Sequence, residues 1–80
     1  MESALRVAFG EVLKELRVKK ELTQQQLADY CAMDRAYVSQ LERGLLFPSL
    51  QTVFKLAKEL KIKPKDFIDK VDHRYTETSK

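Results

Sequence analysis

Residues 22–44 read LTQQQLADYCAMDRAYVSQLERG, and the architecture of the whole chain follows from how this stretch folds. Thr23 and Gln26 stand at the spacing of a capping box, in which a threonine hydroxyl accepts from the amide three residues on and a glutamine side chain reaches back. Leu22 and Leu27 flank that cap at the positions of a hydrophobic staple, so a short helix begins at Thr23 and stops near Cys31. A second helix begins almost at once: Asp34 is a favourable N-cap, and Met33 with Val38 repeats the staple. Gly44 supplies the left-handed residue that closes it. Only Ala32 to Asp34 separate the two helices, too few residues to fold them antiparallel along their length. They must cross steeply, as in a helix-turn-helix unit.

Helical signals continue on both sides. Leu5, Phe9, Val12, Leu13 and Leu16 recur at helical spacing between about Ser3 and Lys20, with Gly10 the weak point of that helix. Leu45 to Pro48 form a loop. Ser49 then caps a helix of about twelve residues whose apolar side is Leu50, Val53, Phe54, Ala57 and Leu60. Pro64 suits the first position of a fifth helix, with Ile62 and Phe67 as its staple and Phe67, Ile68 and Val71 as its apolar residues. Residues 72–80 are polar and uncapped and read as a frayed tail after a folded domain at 1–71.

Composition narrows the classes. Two Gly and two Pro leave little room for hairpins, so the expected fold is all-α. A chain of 80 residues holds one small core, and a single cysteine, Cys31, offers neither a disulfide nor a zinc cluster. Stability must then come from tight helix packing or from oligomerisation. The absence of an apolar leader or a membrane-length run reads as cytoplasmic. Fifteen Lys and Arg against twelve Asp and Glu give a net charge of +3, compatible with nucleic acid without demanding it. There is no nucleophile–base pair, phosphate-cradling loop or small-molecule site, and the lone His73 lies in the polar tail, so an enzyme is not expected and no cofactor or metal is implied.

The chemistry lies on the helix that follows Asp34. With Val38 at the centre of the buried face and 100° per residue, Leu41, Glu42 and Leu45 fall inward. Ala36, Ser39, Gln40 and Arg43 fall outward, with Arg35 and Tyr37 on the flanks. This outer face is small and hydrogen-bonding and could enter a DNA major groove. Arg35, in the first turn, can donate twice to guanine, Gln40 can read adenine, Ala36 can pack on a thymine methyl and Ser39 can reach a base or a phosphate. Tyr37 and Arg43 suit phosphate, as does Gln24 at the start of the preceding helix. Glu42 points inward and requires a partner. Arg17, at the edge of the first helix's stripe, is the cation in reach, and the pair would lock that helix to the reading helix.

The segments Leu22–Ala28, Val38–Gly44 and Pro48–Leu50 together resemble the Cro/repressor (XRE-type) helix-turn-helix family, over about residues 6 to 68. The resemblance implies a lambda-repressor-like domain of five helices with the third in the major groove. It implies phosphate contact at Gln24, base contacts at Arg35, Ala36 and Gln40, a structural pair of Arg17 with Glu42, and a small residue, Ala28, where the second and third helices cross. The family commonly has Gly where this chain has Ala32, so a strained turn is expected here. The run Asp34 to Ser39 and the short chain look like restriction–modification controller proteins; phage Cro-like and antitoxin-type repressors share much of the pattern.

The expected function is therefore a sequence-specific transcriptional regulator that binds a (pseudo)palindromic double-stranded DNA operator as a homodimer. A helical module that binds protein through the same outer face is the alternative from another class. Activation would require a contact with RNA polymerase, for which an acid near the reading helix such as Asp34 is a candidate. The fifth helix can either close the core or build the two-fold seam; Ile68 and Val71 are expected at the seam and Phe67 nearer the core.

Overall fold

Five helices make up the described residues, 2–79 (side chains for 3–77), of the computed structural model: α1 (Glu2–Lys19), α2 (Gln24–Tyr30), α3 (Arg35–Glu42), α4 (Leu50–Glu59) and α5 (Pro64–Ser79). No strand occurs among these residues. None of the helices is long and apolar enough to cross a membrane.

The cap chemistry explains where the helices start. Thr23 accepts from the Gln26 amide at 3.0 Å while the Gln26 side chain accepts from the Thr23 amide at 2.9 Å, completing the capping box. Ser49 accepts from the Thr52 amide at 3.0 Å. Asp34 has the extended backbone of an N-cap, but its carboxylate makes no cap hydrogen bond.

The stops share one device. After each of the first four helices a single residue turns left-handed: Glu21 (φ 58°), Ala32 (φ 55°), Gly44 (φ 74°) and Lys61 (φ 59°). In each case the next residue donates its amide back across the last turn: Leu22 to Arg17, Met33 to Ala28, Leu45 to Gln40 and Ile62 to Ala57, at 2.9–3.2 Å. These are Schellman caps, which satisfy carbonyls the helix would otherwise leave open. Only one of the four left-handed positions is a glycine; the other three carry the steric cost of a Cβ. The turn expected to be strained at Ala32 is thus one of three such turns.

The core gathers Leu13, Leu27, Val38, Leu41, Leu56, Leu60 and Phe67, all fully buried. The Phe67 ring stacks on Phe9 with centroids 5.2 Å apart, tying α5 to α1. α1 packs chiefly on α5 and α3, and its contact with α3 is very close. A Cβ added at Gly10 would stand 2.4 Å from the Leu41 carbonyl oxygen and 2.5 Å from that of Glu42. Gly10 is therefore where the backbone of α1 meets the end of α3, and its cost in helix propensity is the condition for that approach.

Several expectations are corrected. Residues 72–79 are not a frayed tail: α5 continues through them, with Tyr75 packed on the core and Arg74 bonded to Glu11 and Glu15 of α1. A polar face reads as a tail when its partner lies on a helix sixty residues away. Lys80 lies outside the described residues. Leu45, Leu50 and Phe54, placed inward by sequence, are exposed. The buried stripe of α4 is Val53, Leu56, Ala57 and Leu60, and Leu50 and Phe54 lie roughly 60–100° round from Val53, on its shoulder. On α5, Phe67 and Val71 are buried within the protomer, which removes them from any seam, while Ile68 stays exposed.

Candidate nucleic-acid interface

The elements that place α3 meet at one buried carboxylate. The Glu42 side chain is 3% exposed, too dry for an unpaired charge. Arg17 Nε donates to Glu42 Oε2 at 2.6 Å and Arg17 Nη2 donates to Oε1 at 3.0 Å, a two-point contact that fixes both planes. The remaining Arg17 nitrogen, Nη1, donates to the Leu22 carbonyl at 2.8 Å, which holds the turn between α1 and α2. Arg17 thus clamps α1, the start of α2 and the end of α3. No buried side-chain polar atom among the described residues lacks a hydrogen-bond partner.

Gln24 joins the same cluster. Its Nε2 donates to Glu42 Oε1 at 2.9 Å, and its Oε1 accepts from Arg35 Nη1 at 3.3 Å. Nothing local in the sequence signals this link, because it depends on how α2 packs against α3.

Arg35 and Ala36 on α3 and Arg43 just after it are exposed, and Ser39 and Gln40 are half-buried beside them. All five lie away from Val38 and Leu41, which anchor the helix in the core. Tyr37 is placed differently: its ring packs on the core, and its hydroxyl lies 3.4 Å from the Thr52 hydroxyl, which in turn accepts from Ser49 at 3.0 Å. Arg6 was not singled out by sequence. Its Nε donates to the Gly44 carbonyl at 3.2 Å and its guanidinium lies 5.1 Å from the centre of the Phe47 ring, so α1 also grips the loop after α3.

No group of three or more His, Cys, Asp or Glu side chains among the described residues could hold a metal. Cys31 is buried, and that burial, with the negative charge of Glu59, pushes its thiol above the ordinary range against the opposing pull of Lys55. A neutral, inaccessible thiol is a core residue and not a nucleophile.

The family model described as helix-turn-helix matches residues 13–67. The control protein C.BamHI of Bacillus amyloliquefaciens is 36% identical over 70 residues, covering 86% of each chain. Four longer curated relatives are matched over 39–59% of their length. Among solved structures, the restriction–modification controller protein C.AhdI of Aeromonas hydrophila is 44% identical with a TM-score of 0.75, over 78% of this chain and 94% of that one. The C.Esp1396I controller, solved as a tetramer on its natural 35 base-pair operator, is 25% identical with a TM-score of 0.80, over 90% of this chain and 95% of that one. The exposed polar face of α3, the Arg17–Glu42 clamp beneath it and these likenesses agree: the chain belongs to the XRE-type helix-turn-helix family of DNA-binding transcriptional regulators.

Proposed function

We propose that this regulator is a restriction–modification controller protein, acting as a homodimer in the cytoplasm on a (pseudo)palindromic operator. It is a binding protein and not an enzyme. The observation that carries the reading is the rigid presentation of α3, whose outer face offers hydrogen-bonding and small side chains while its inner face is clamped through Glu42. Arg35, Ala36, Ser39 and Gln40 are the residues we assign to base edges. Arg43 and the start of α2 at Gln24 are assigned to phosphate. Tyr37 serves phosphate only through its hydroxyl, at the Thr52 and Ser49 cluster.

The dimer seam in this reading differs from the one expected by sequence. Leu50 (72% exposed), Phe54 (54%) and Ile68 (47%) line one groove with Pro64, between α4 and α5. Apolar side chains concentrated in this way mark an interaction site, and a two-fold contact makes the patch self-complementary. The similar controller crystallised on its operator is an assembly of copies, which supports the second copy as occupant.

Selection from random DNA tests the whole reading. An inverted repeat should be enriched, with binding that weakens steeply as salt rises, because phosphate contacts release counterions. No enrichment at moderate salt, or binding to DNA without a salt slope, would sink it. Arg35→Ala should cost about 1–3 kcal/mol and relax preference at one base pair per half-site. Equal weakening on every sequence would reassign Arg35 to phosphate.

A further inference from the structure

The chain has five arginines, and they divide by what holds them. Arg17 is paired with Glu42, and Arg74 with Glu11 and Glu15. Arg6, Arg35 and Arg43 have no carboxylate within ion-pair distance among the described residues. Of these three, Arg6 is the most firmly held. The start of α1 presses on the end of α3: a Cβ on Gly44 would stand 3.0–3.2 Å from Val7, the residue after Arg6. Further out, Arg6 Nε donates to the Gly44 carbonyl at 3.2 Å, and the guanidinium lies 5.1 Å from the centre of the Phe47 ring. A carbonyl and a ring orient a guanidinium without cancelling its charge. Nη1 and Nη2 make no hydrogen bond among the described residues. Arg6 is thus half-buried, fixed at its root and near its tip, and still fully charged at its outer edge. A side chain ordered in advance loses little freedom on binding, so this one is prepared for an anion that the protomer itself does not supply.

We propose that Arg6 is a DNA-binding residue that grips the phosphate backbone beside Arg43, at the end of α3 remote from Arg35. The inference rests on the reading of α3 as the DNA-facing helix. Gly44, to which Arg6 is bonded, directly follows Arg43 and closes α3. Base edges are met by the first turns of a reading helix, so a cation past its last turn faces the strand that borders the groove. A phosphate presents paired oxygens, and the Nη groups of a guanidinium match them as a fork. A lysine would bring the charge without the fork. Sequence spacing hides the group, since Arg6 and Gly44 are 38 residues apart.

The test uses the full chain, the operator it selects and an unrelated duplex, titrated over a range of salt concentrations. Each phosphate contact contributes about 0.9 to the slope of log affinity on log salt, and a dimer carries Arg6 twice. Arg6→Met keeps the length of the stem and removes the charge. Its slope should be shallower by about 2, so that raising salt from about 50 to about 200 mM costs about tenfold less affinity than in wild type. Operator and unrelated DNA should weaken alike, and the ranking of substituted half-sites should not change. Arg6→Lys, which restores the charge, should restore most of the slope. A residue that only pins the loop after α3 gives the opposite pattern. Affinity or base preference then shifts while the slope of Arg6→Met stays at the wild-type value, and that result would overturn the inference. An unchanged slope with weaker dimerisation in sedimentation would overturn it as well and assign Arg6 to an acid of the second copy. Phe47 lies outside the hydrophobic core, so losing this contact leaves the fold standing. Should Arg6→Met prove unstable in urea, Arg6→Gln is read by the same slope. A wild-type chain that binds DNA with no salt slope, or not at all, removes this inference together with the reading beneath it, before any variant is compared.

Discussion

At the scale of single residues, two small side chains have effects opposite to those helix propensity assigns them. Gly10 is a poor helix former in the middle of α1, so Gly10→Ala would be stabilising in an isolated helix. Here the added methyl would stand within 2.4–2.8 Å of the backbone of Leu41 and Glu42, which cannot swing aside as a side-chain tip would. Gly10→Ala should therefore destabilise by about 1–3 kcal/mol in urea unfolding, and weaken operator binding by shifting α3. A gain in stability would show that the α1–α3 contact is looser than described. Ala32 is the converse case. Its φ of 55° is one that alanine adopts at a cost, and Ala32→Gly should stabilise by about 0.5–1 kcal/mol after the greater entropy of the unfolded glycine is deducted. Cys31 adds a pH dependence. Its thiol pKa is raised in the folded protein, so the unfolded chain loses that proton first as pH rises. The contribution is fully present below the ordinary thiol range and is lost as pH climbs through it. The difference in urea midpoint between wild type and Cys31→Ala should then shrink between about pH 8 and about pH 10.

At the scale of elements, what the sequence displayed depended on whether the signal was local. The starts of α2 and α4 were legible because Thr23 and Ser49 act on residues three positions away, and that of α3 because Asp34 takes the extended backbone of an N-cap, though without a side-chain bond. Stops were also expected near Lys20 and Cys31, where α1 and α2 do end, but only Gly44 carried the usual mark of a left-handed residue. At Glu21 and Lys61 the usable sign was the apolar residue that follows, Leu22 or Ile62, which packs on the core. The pairing of Arg17 with Glu42 could be inferred from one inward acid and one cation at a stripe's edge. The Gln24–Arg35 bond could not, since it is set by the crossing of two helices. The end of α5 was missed for the same reason: its support comes from Glu11 and Glu15 across the molecule. That support is unequal. The Arg74 bridges are largely solvated, so Arg74→Ala should change stability by less than about 1 kcal/mol. Tyr75 packs on the core, and Tyr75→Ala should cost more and should release residues 72–77 to fast amide exchange. Equal effects of the two substitutions would mean that charge, and not packing, holds the last turns.

At the scale of the whole molecule, the proposed seam puts folding and assembly on different faces of α5. Phe67 is fully buried against Phe9, so Phe67→Ala should cost about 3–5 kcal/mol and unfold much of the population. Ile68 and Phe54 are exposed in the protomer, so a charge at either leaves the core intact but cannot be buried in a two-fold seam. Ile68→Glu should thus sediment as a monomer with normal helical content, and its melting temperature should no longer rise with protein concentration as that of a dimer does. In the proposed reading a monomer places one α3 in one major groove and the dimer places two, about 34 Å apart on one face of the duplex. The monomer should therefore lose most of its operator affinity while a single half-site is bound as weakly as by wild type. The geometry adds a second arm that needs no mutation. Inserting about five base pairs between the half-sites turns one of them to the opposite face of the duplex, where a rigid dimer cannot reach it, and about ten restore the face but not the distance. Wild type should bind both spacings no better than a lone half-site. If Ile68→Glu remains dimeric, the groove between α4 and α5 is not the seam; if the respaced operators bind normally, the two reading helices are not held by a fixed interface at all.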